Sequence, residues 1–297
     1  MFLDLRKAIN DIDHHKLIAK LEHCGITEIC LELFTSYISQ RSQFVSCNCI
    51  NSNRNIISHG VPQGSVIGPT LFNIHISGIG SACQKCKVAL YADDTEIHAN
   101  SKDINQAESD VNDDVKSVSI WFTKNVSVFI CNRKKTEAML IGSRHVVNHS
   151  RSLNIMYEEE QIKQSEHFEY LGIYIDNILI WNMHISYIIS RIYPKLTLLN
   201  RISSFVIRET LLKIFKPTIL PILDYGCIIL DQCGNGNEQK LERLQNWTSR
   251  IILSTSRKTC SQDMCNKLGL LLVSSRRRFL HFLRFLQLVF KIVNNVH

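Results

Sequence analysis

No stretch of this 297-residue sequence holds the roughly 20 uninterrupted apolar residues that a bilayer span needs. The longest apolar run, Phe279 to Val293, is broken by Arg284, Gln287 and Lys291; it reads as a packed helix with a polar stripe, not a membrane anchor. A signal peptide is also missing, and the 11 cysteines are odd in number and widely spaced. That argues against a secreted disulfide framework and for a reducing compartment, nucleus or cytoplasm. CQKC, Cys83 to Cys86, has the spacing of half a zinc site, but no second CxxC supplies the remaining ligands. Internal repeats and low-complexity tracts are absent. Acids are scarce at one end: residues 183–297 carry 17 Lys/Arg against 6 Asp/Glu, whereas residues 1–182 carry 17 against 21. A basic C-terminal third suits a polyanion partner, because each cation near a phosphate backbone releases condensed counterions. A solvated basic surface is the plainer reading of the same charge.

With 45% hydrophobic residues the chain can bury one large core or two modest ones. Residues 1 to 6 look like the end of a strand, followed by a helix from about His14 to Cys24 with Asp13 as N-cap and Gly25 beyond its end. A second helix is expected from about Thr27 to Ser39, then a strand pair at 43–47 and 55–58, in which Cys47 and Cys49 alternate as packing residues. GVPQGSVIGP leads into a helical stretch ending near Gly78. From Asp103 to Phe122 the apolar residues recur every three or four positions, the mark of one buried helix face. Short strands are expected at about 136–141 and 168–175. After Trp181 only helices are expected, at about 183–200, 207–228 with breaks at Pro217 and Pro221, 238–253, 261–268 and 275–294.

The segment LYADDTEIH interrupts an alternating apolar stretch with two adjacent acids, Asp93 and Asp94. A hairpin tip lets neighbouring carboxylates face one site, and a divalent cation removes the cost of bringing them together. An ordinary Asp-rich turn would account for the pair taken alone. Asp4 changes the balance, because it also sits at a strand end, among apolar neighbours where an unpaired carboxylate is expensive. Three acids on adjacent strand ends make a two-metal site plausible.

FLDLRKAINDIDHHKLIAKLEHCGI, GVPQGSVIGPTLFNIHISGI, LYADDTEIH, NRKKTEAMLIG and FEYLGIYID, in that order and spacing, resemble the successive palm motifs of reverse transcriptases of non-LTR (LINE-type) retrotransposons. LLKIFKPTILPILDYGCIIL and KLERLQNWTSRIIL resemble the thumb and the helical region after it. The resemblance implies an α+β fold: a polymerase palm of antiparallel sheet backed by helices over residues 1–181, then an all-helical, basic, thumb-like region over 182–297. It implies RNA-templated DNA synthesis, with an RNA template, a DNA primer and a dNTP as partners and two Mg²⁺ ions, or Mn²⁺, as cofactor.

Carried over by position, the resemblance makes Asp4, Asp93 and Asp94 the metal-binding catalytic acids. Gln63 and Gly64 match the loop that contacts template and incoming nucleotide, and Lys135 a lysine that protonates the pyrophosphate leaving group. Tyr170, Leu171 and Gly172 match the hairpin that grips the primer end. Ile9 stands where the family usually has an aromatic residue under the sugar, so rejection of a ribose 2′-OH is altered. Val126 to Cys131 matches the usual strand before Lys135 only loosely. On the helix at 238–253, Lys240, Arg243, Trp247 and Arg250 share one face and suit a nucleic-acid backbone with base stacking. Met1 lies three residues before Asp4, so the fingers domain is expected to be missing and this chain alone to extend a primer little or not at all. The alternative reading is a catalytically inactive retrotransposon-derived fragment that retains nucleic-acid binding.

Overall fold

In the computed structural model, which describes residues 1–5, 9–62, 64–125, 132 and 135–293, the first apolar residues form the middle strand of a sheet. This is β1 (Phe2–Asp4), followed by α1 (His14–His23), α2 (Glu28–Ile38), β2 (Arg41–Gln43), β3 (Ser46–Cys47), β4 (Ile50–Asn51), β5 (Asn55–Ile57) and α3 (Gly68–Ile76). A 3₁₀ turn, Ser77–Ala82, leads to β6 (Lys87–Tyr91), β7 (Asp94–His98), α4 (Ile104–Asn125), β8 (Glu137–Ala138) and α5 (Arg144–His149). Then come β9 (Met156–Tyr157), β10 (Glu160–Gln161), β11 (Lys163–Gln164), β12 (His167–Tyr170) and β13 (Ile173–Asp176). The rest is helical: α6 (Asn182–Ile202), α7 (Arg208–Thr218), α8 (Leu220–Asp224), α9 (Asn235–Leu253), α10 (Ser261–Leu268) and α11 (Val273–Val293).

The chain divides into two compact units, Met1–Leu140 with His149–Glu166, and Ile141–Asn148 with His167–His297. The first is built on the sheet β11-β8-β1-β7-β6, antiparallel except for the β11–β8 pair. Helices α1, α3 and α4 lie with it because their apolar stripes need cover: Leu17, Leu21, Leu71, Phe72, Val115, Val118 and Phe122 share one core with Leu3 and Ile97. Asp13 starts α1 as the sequence suggests, its Oδ1 accepting from the amides of His15 and Lys16 at 2.8 and 3.2 Å, a cap worth about 1 kcal/mol. Gly25 leaves the helix at φ 88°.

The second unit contains the β12–β13 hairpin and the helices, with a core that includes Ile185, Ile192, Leu196, Phe215, Leu223, Leu241 and Ile252. Polar groups are buried in it as well. Arg276 donates through Nε to Asp224 at 2.7 Å and through a terminal nitrogen to Gln245 at 2.9 Å, and Gln245 donates to the Leu271 carbonyl at 2.8 Å. The fold is therefore α+β with a helical C-terminal region.

Several local expectations are corrected. The strand over 136–141 is only the two residues of β8, and α5 and the β9–β10 hairpin occur where no element is expected. Cys47 and Cys49 are exposed, because Asn48 and Cys49 turn at φ 50° and 64° and fold 46–51 into a hairpin of its own. The later turns of α11 are not buried as a packed helix would be: Phe282, Phe285 and Ile292 are exposed. No helix among the described residues is long and apolar enough to cross a membrane.

Candidate active site

β1 and β7 run antiparallel with Asp4 directly opposite Asp94, a relation that puts two side chains on the same face with Cβ atoms about 4.5–5.5 Å apart. Asp93 lies in the two-residue turn between β6 and β7, which closes at the Tyr91–Asp94 pair. Ala92 makes that turn at φ 52°, a left-handed conformation that tight hairpins require and a Cβ resists. The turn frees Asp93 from strand alternation. Burial first, then the charges of Asp93 and Asp4, holds the Asp94 carboxyl above the usual carboxylate range.

Lys135 lies in a turn whose backbone is tied to β1. The Asn132 amide donates to the Asp4 carbonyl at 2.8 Å, and the Asn132 carbonyl accepts from the amides of Lys135 and Thr136, each at 2.9 Å. The buried Thr136 hydroxyl accepts from the Asp4 amide at 3.4 Å. Lys135 is exposed in this turn, two residues before β8, whose Glu137 pairs with Phe2. Asn132 and Thr136 carry no recognisable signal in the sequence, since their roles depend on strands more than 120 residues apart.

The GVPQG loop is tied to the segment after β1. Gly60 donates to the Ile12 carbonyl at 2.7 Å and Val61 to the Ile9 carbonyl at 3.2 Å, while His14 Nε2 donates to the Gly60 carbonyl at 2.8 Å. Gly60 sits at φ 83°, and a Cβ there would stand 2.7 Å from the Asn10 carbonyl oxygen. Ile9 is half-buried against the first core. Gly64, at φ 76°, has open space where a Cβ would be. Gln63 lies outside the described residues, as does the Val126–Cys131 segment.

The remaining candidates belong to the second unit. Leu171 and Gly172, at φ 50° and 74°, turn β12 into β13 directly after Tyr170. Tyr225, which the sequence does not single out, donates its hydroxyl to the Leu171 carbonyl at 2.5 Å. On α9 the basic stripe is narrower than expected: Lys240 and Arg243 are exposed, but Trp247 packs edge to face on Tyr193 at 5.1 Å, and Arg250 Nε is buried without a partner. Gln245, Asn246 and Ser249 are buried beside Leu241 and Ile252, so the helix is enclosed on more sides than its apolar residues indicate. Arg276 and Arg277 are interior too, 8% and 4% exposed, which removes them from the presumed basic surface.

Three acids at one end of neighbouring strands suit a divalent cation. The donor set fits one, being hard oxygens whose mutual repulsion already disfavours the charged form of Asp94. The side chains are not closed around a point: among the described residues no group of three or more His, Cys, Asp or Glu is gathered to hold a metal ion. The HxxxH spacing of His145 and His149, on α5, joins no such group either.

Residues 1–175 match the family model described as reverse transcriptase (RNA-dependent DNA polymerase). The chain belongs to the reverse transcriptase family. It is 28% identical over 261 residues to the RNA-directed DNA polymerase from mobile element jockey of Drosophila melanogaster, covering 84% of this chain and 28% of that one. It is 25% identical over 260 residues to the probable RNA-directed DNA polymerase from transposon X-element of the same species, covering 85% and 28%. A Pol polyprotein from the type-1 retrotransposable element R1 2 of Nasonia vitripennis is 30% identical over 134 residues, 42% of this chain and 31% of the relative. These similarities make it a LINE-type reverse transcriptase sequence, and the chain spans under a third of the length of these curated relatives. In such a reverse transcriptase the Asp4–Asp94 pair and the Asp93 turn lie within the matched region, as do Lys135, Ile9, Gly64 and the Tyr170–Gly172 turn.

Proposed function

We propose that the first unit carries the catalytic acids of an RNA-directed DNA polymerase, joining a dNTP to a primer 3′-OH on an RNA template. The observation that supports this most is the register that sets Asp4 opposite Asp94 with Asp93 in the adjoining turn. Asp4, Asp93 and Asp94 would hold two Mg²⁺ ions, or Mn²⁺, and bound there the ions supply Lewis-acid stabilisation to the attacking and leaving oxygens of an in-line displacement. Lys135, in the turn that Asn132 ties to the Asp4 carbonyl, neutralises the pyrophosphate leaving group and gives it a proton. Gly64 allows the loop backbone to approach the nucleotide and template, and Gln63 belongs to the same loop. Ile9 limits the space beneath the sugar. The Tyr170–Gly172 turn holds the primer end, its shape fixed by the Tyr225 hydrogen bond, and Lys240 and Arg243 meet the nucleic-acid backbone.

Primer extension on an RNA template tests this, with and without Mg²⁺ and beside Asp93→Ala. The expected result is slow extension that needs Mg²⁺ and disappears in the variant. A second reading, a fragment that binds nucleic acid without catalysis, is favoured by isoleucine at position 9. Duplex binding that weakens steeply with salt, accompanied by no extension, would select it.

A further inference from the structure

CQKC has a structural use that the proposed activity does not absorb. Asp114, in the middle of α4, is 3% exposed, and its carboxylate accepts three consecutive backbone amides. Gln84 donates to Oδ1 at 3.1 Å, and Lys85 and Cys86 donate to Oδ2 at 2.9 and 2.6 Å. Successive amides turned toward one anion form a nest, and charge-assisted bonds of this kind are roughly twice as strong as neutral ones. Burial pushes the Asp114 carboxyl up, but the amides of Gln84, Cys86 and Lys85 outweigh it and hold the group below its ordinary range. Outside the nest, Lys85 reaches Asp113 at 2.7 Å and Asp110 at 3.6 Å, also on α4. Of the two cysteines only Cys86 gives its amide; the Cys83 and Cys86 thiols are raised to about 11 and 12, by burial first and Asp114 next.

The position of this nest gives it consequence. Cys86 immediately precedes β6, the edge strand of the sheet, which among the described residues is paired on one side only, by β7. The far end of β6 is Tyr91, where the hairpin turns through Ala92 and Asp93 to Asp94. An edge strand has half the ladder bonds of an interior one to fix its register, and a one-residue slip turns every side chain to the other face.

We propose that Asp114 is a positioning residue for the catalytic hairpin: by fixing the start of β6 to α4 it fixes where Asp93 and Asp94 stand relative to Asp4. The inference rests on the polymerase reading for its effect on rate, but not for its effect on the hairpin. Asp114→Asn keeps one acceptor oxygen and loses the charge; Asp114→Ala removes both.

The test is amide hydrogen exchange and steady-state primer extension on the parent, Asp114→Asn, Asp114→Ala and Asp93→Ala. Expected is faster exchange confined to residues 84–98 in both Asp114 variants, larger for Ala, with α1, α4 and β1 protected as in the parent. With it, kcat should fall about tenfold or more for Asp114→Ala and less for Asp114→Asn, while KM for dNTP and affinity for primer-template duplex stay within about twofold. Unchanged exchange at 84–98, or exchange that rises equally throughout the first unit, would overturn the proposal, as would a parental kcat in a variant whose hairpin exchanges faster. If the parent shows no extension that Asp93→Ala abolishes, the polymerase reading fails alone, and the exchange pattern still decides the role of Asp114.

Discussion

Asp4 on β1 stands directly opposite Asp94 on β7, two carboxylates ninety residues apart in sequence made nearest neighbours by the sheet. Like charges facing each other across strands are destabilising, and Asp94 registers this in a carboxyl held above its usual range by burial, Asp93 and Asp4. A fold keeps such a pair at a cost in stability. In chelator, Asp94→Asn should therefore raise the melting temperature. Mg²⁺ should raise that of the parent, since a ligand that binds only the folded state stabilises it, and should leave Asp93→Ala unmoved. Thermal melts with and without the ion check both.

Gly60 and Gly64 share a left-handed backbone, at φ 83° and 76°, but not the same surroundings. Alanine at 64 meets open space and should cost about 1 kcal/mol, from the backbone conformation alone. Alanine at 60 would also press on the Asn10 carbonyl at 2.7 Å, so Gly60→Ala should cost about 2 kcal/mol or more. Urea melts of the two variants give the comparison.

The basic residues of the second unit divide into structural and exposed ones. Removing Arg276 leaves Gln245 and Asp224 without their partner, and Arg276→Ala should cost about 3 kcal/mol. Lys240 Nζ donates to the buried Asn237 at 3.0 Å, so Arg243→Ala is the cleaner test and should leave stability within about 0.5 kcal/mol of the parent. It should also weaken duplex binding and flatten its dependence on log salt by about one unit per charge removed. Denaturant melts and binding isotherms at several salt concentrations separate the two groups.

His75 is fully buried, and neither ring nitrogen has a hydrogen-bond partner. Burial first and then the nearby Lys20 push its pKa down to about 4, against about 6.5 in the unfolded chain. Between those values the unfolded state takes up a proton that the folded state refuses, so stability falls as pH drops through the window. From pH 7 to pH 5 this should remove about 1–2 kcal/mol. His75→Leu should lose less over the same range, measured by melts at the two pH values.

Features set by local chemistry were legible in the sequence. Asp13 and Gly25 mark the ends of α1, and the acid pair in LYADDTEIH marks the tip of β6–β7, because capping and turn formation depend on residues within a few positions. The ordered motifs singled out Asp4, which the register sets opposite that tip. What stayed hidden depends on distant apposition. Asp114 reads as one acid among several on the polar side of a helix until the amides of Gln84–Cys86 arrive against it. Trp247 and Arg250 lie on a face that periodicity marks as solvent-exposed, but Tyr193 of α6 covers the tryptophan. Arg276 and Arg277 count as surface charge in any composition and are interior in the fold. The end of α11 fails in the opposite sense, since an apolar stripe forecasts burial without saying what supplies it.

Primer extension by this chain on an RNA template, run with and without Mg²⁺ beside Asp93→Ala, tests the catalytic acids most directly. The expected result is extension, however slow, that requires the ion and vanishes in the variant. Extension that persists in Asp93→Ala, or that proceeds equally without a divalent cation, would contradict the assignment of Asp4, Asp93 and Asp94 as its catalytic acids.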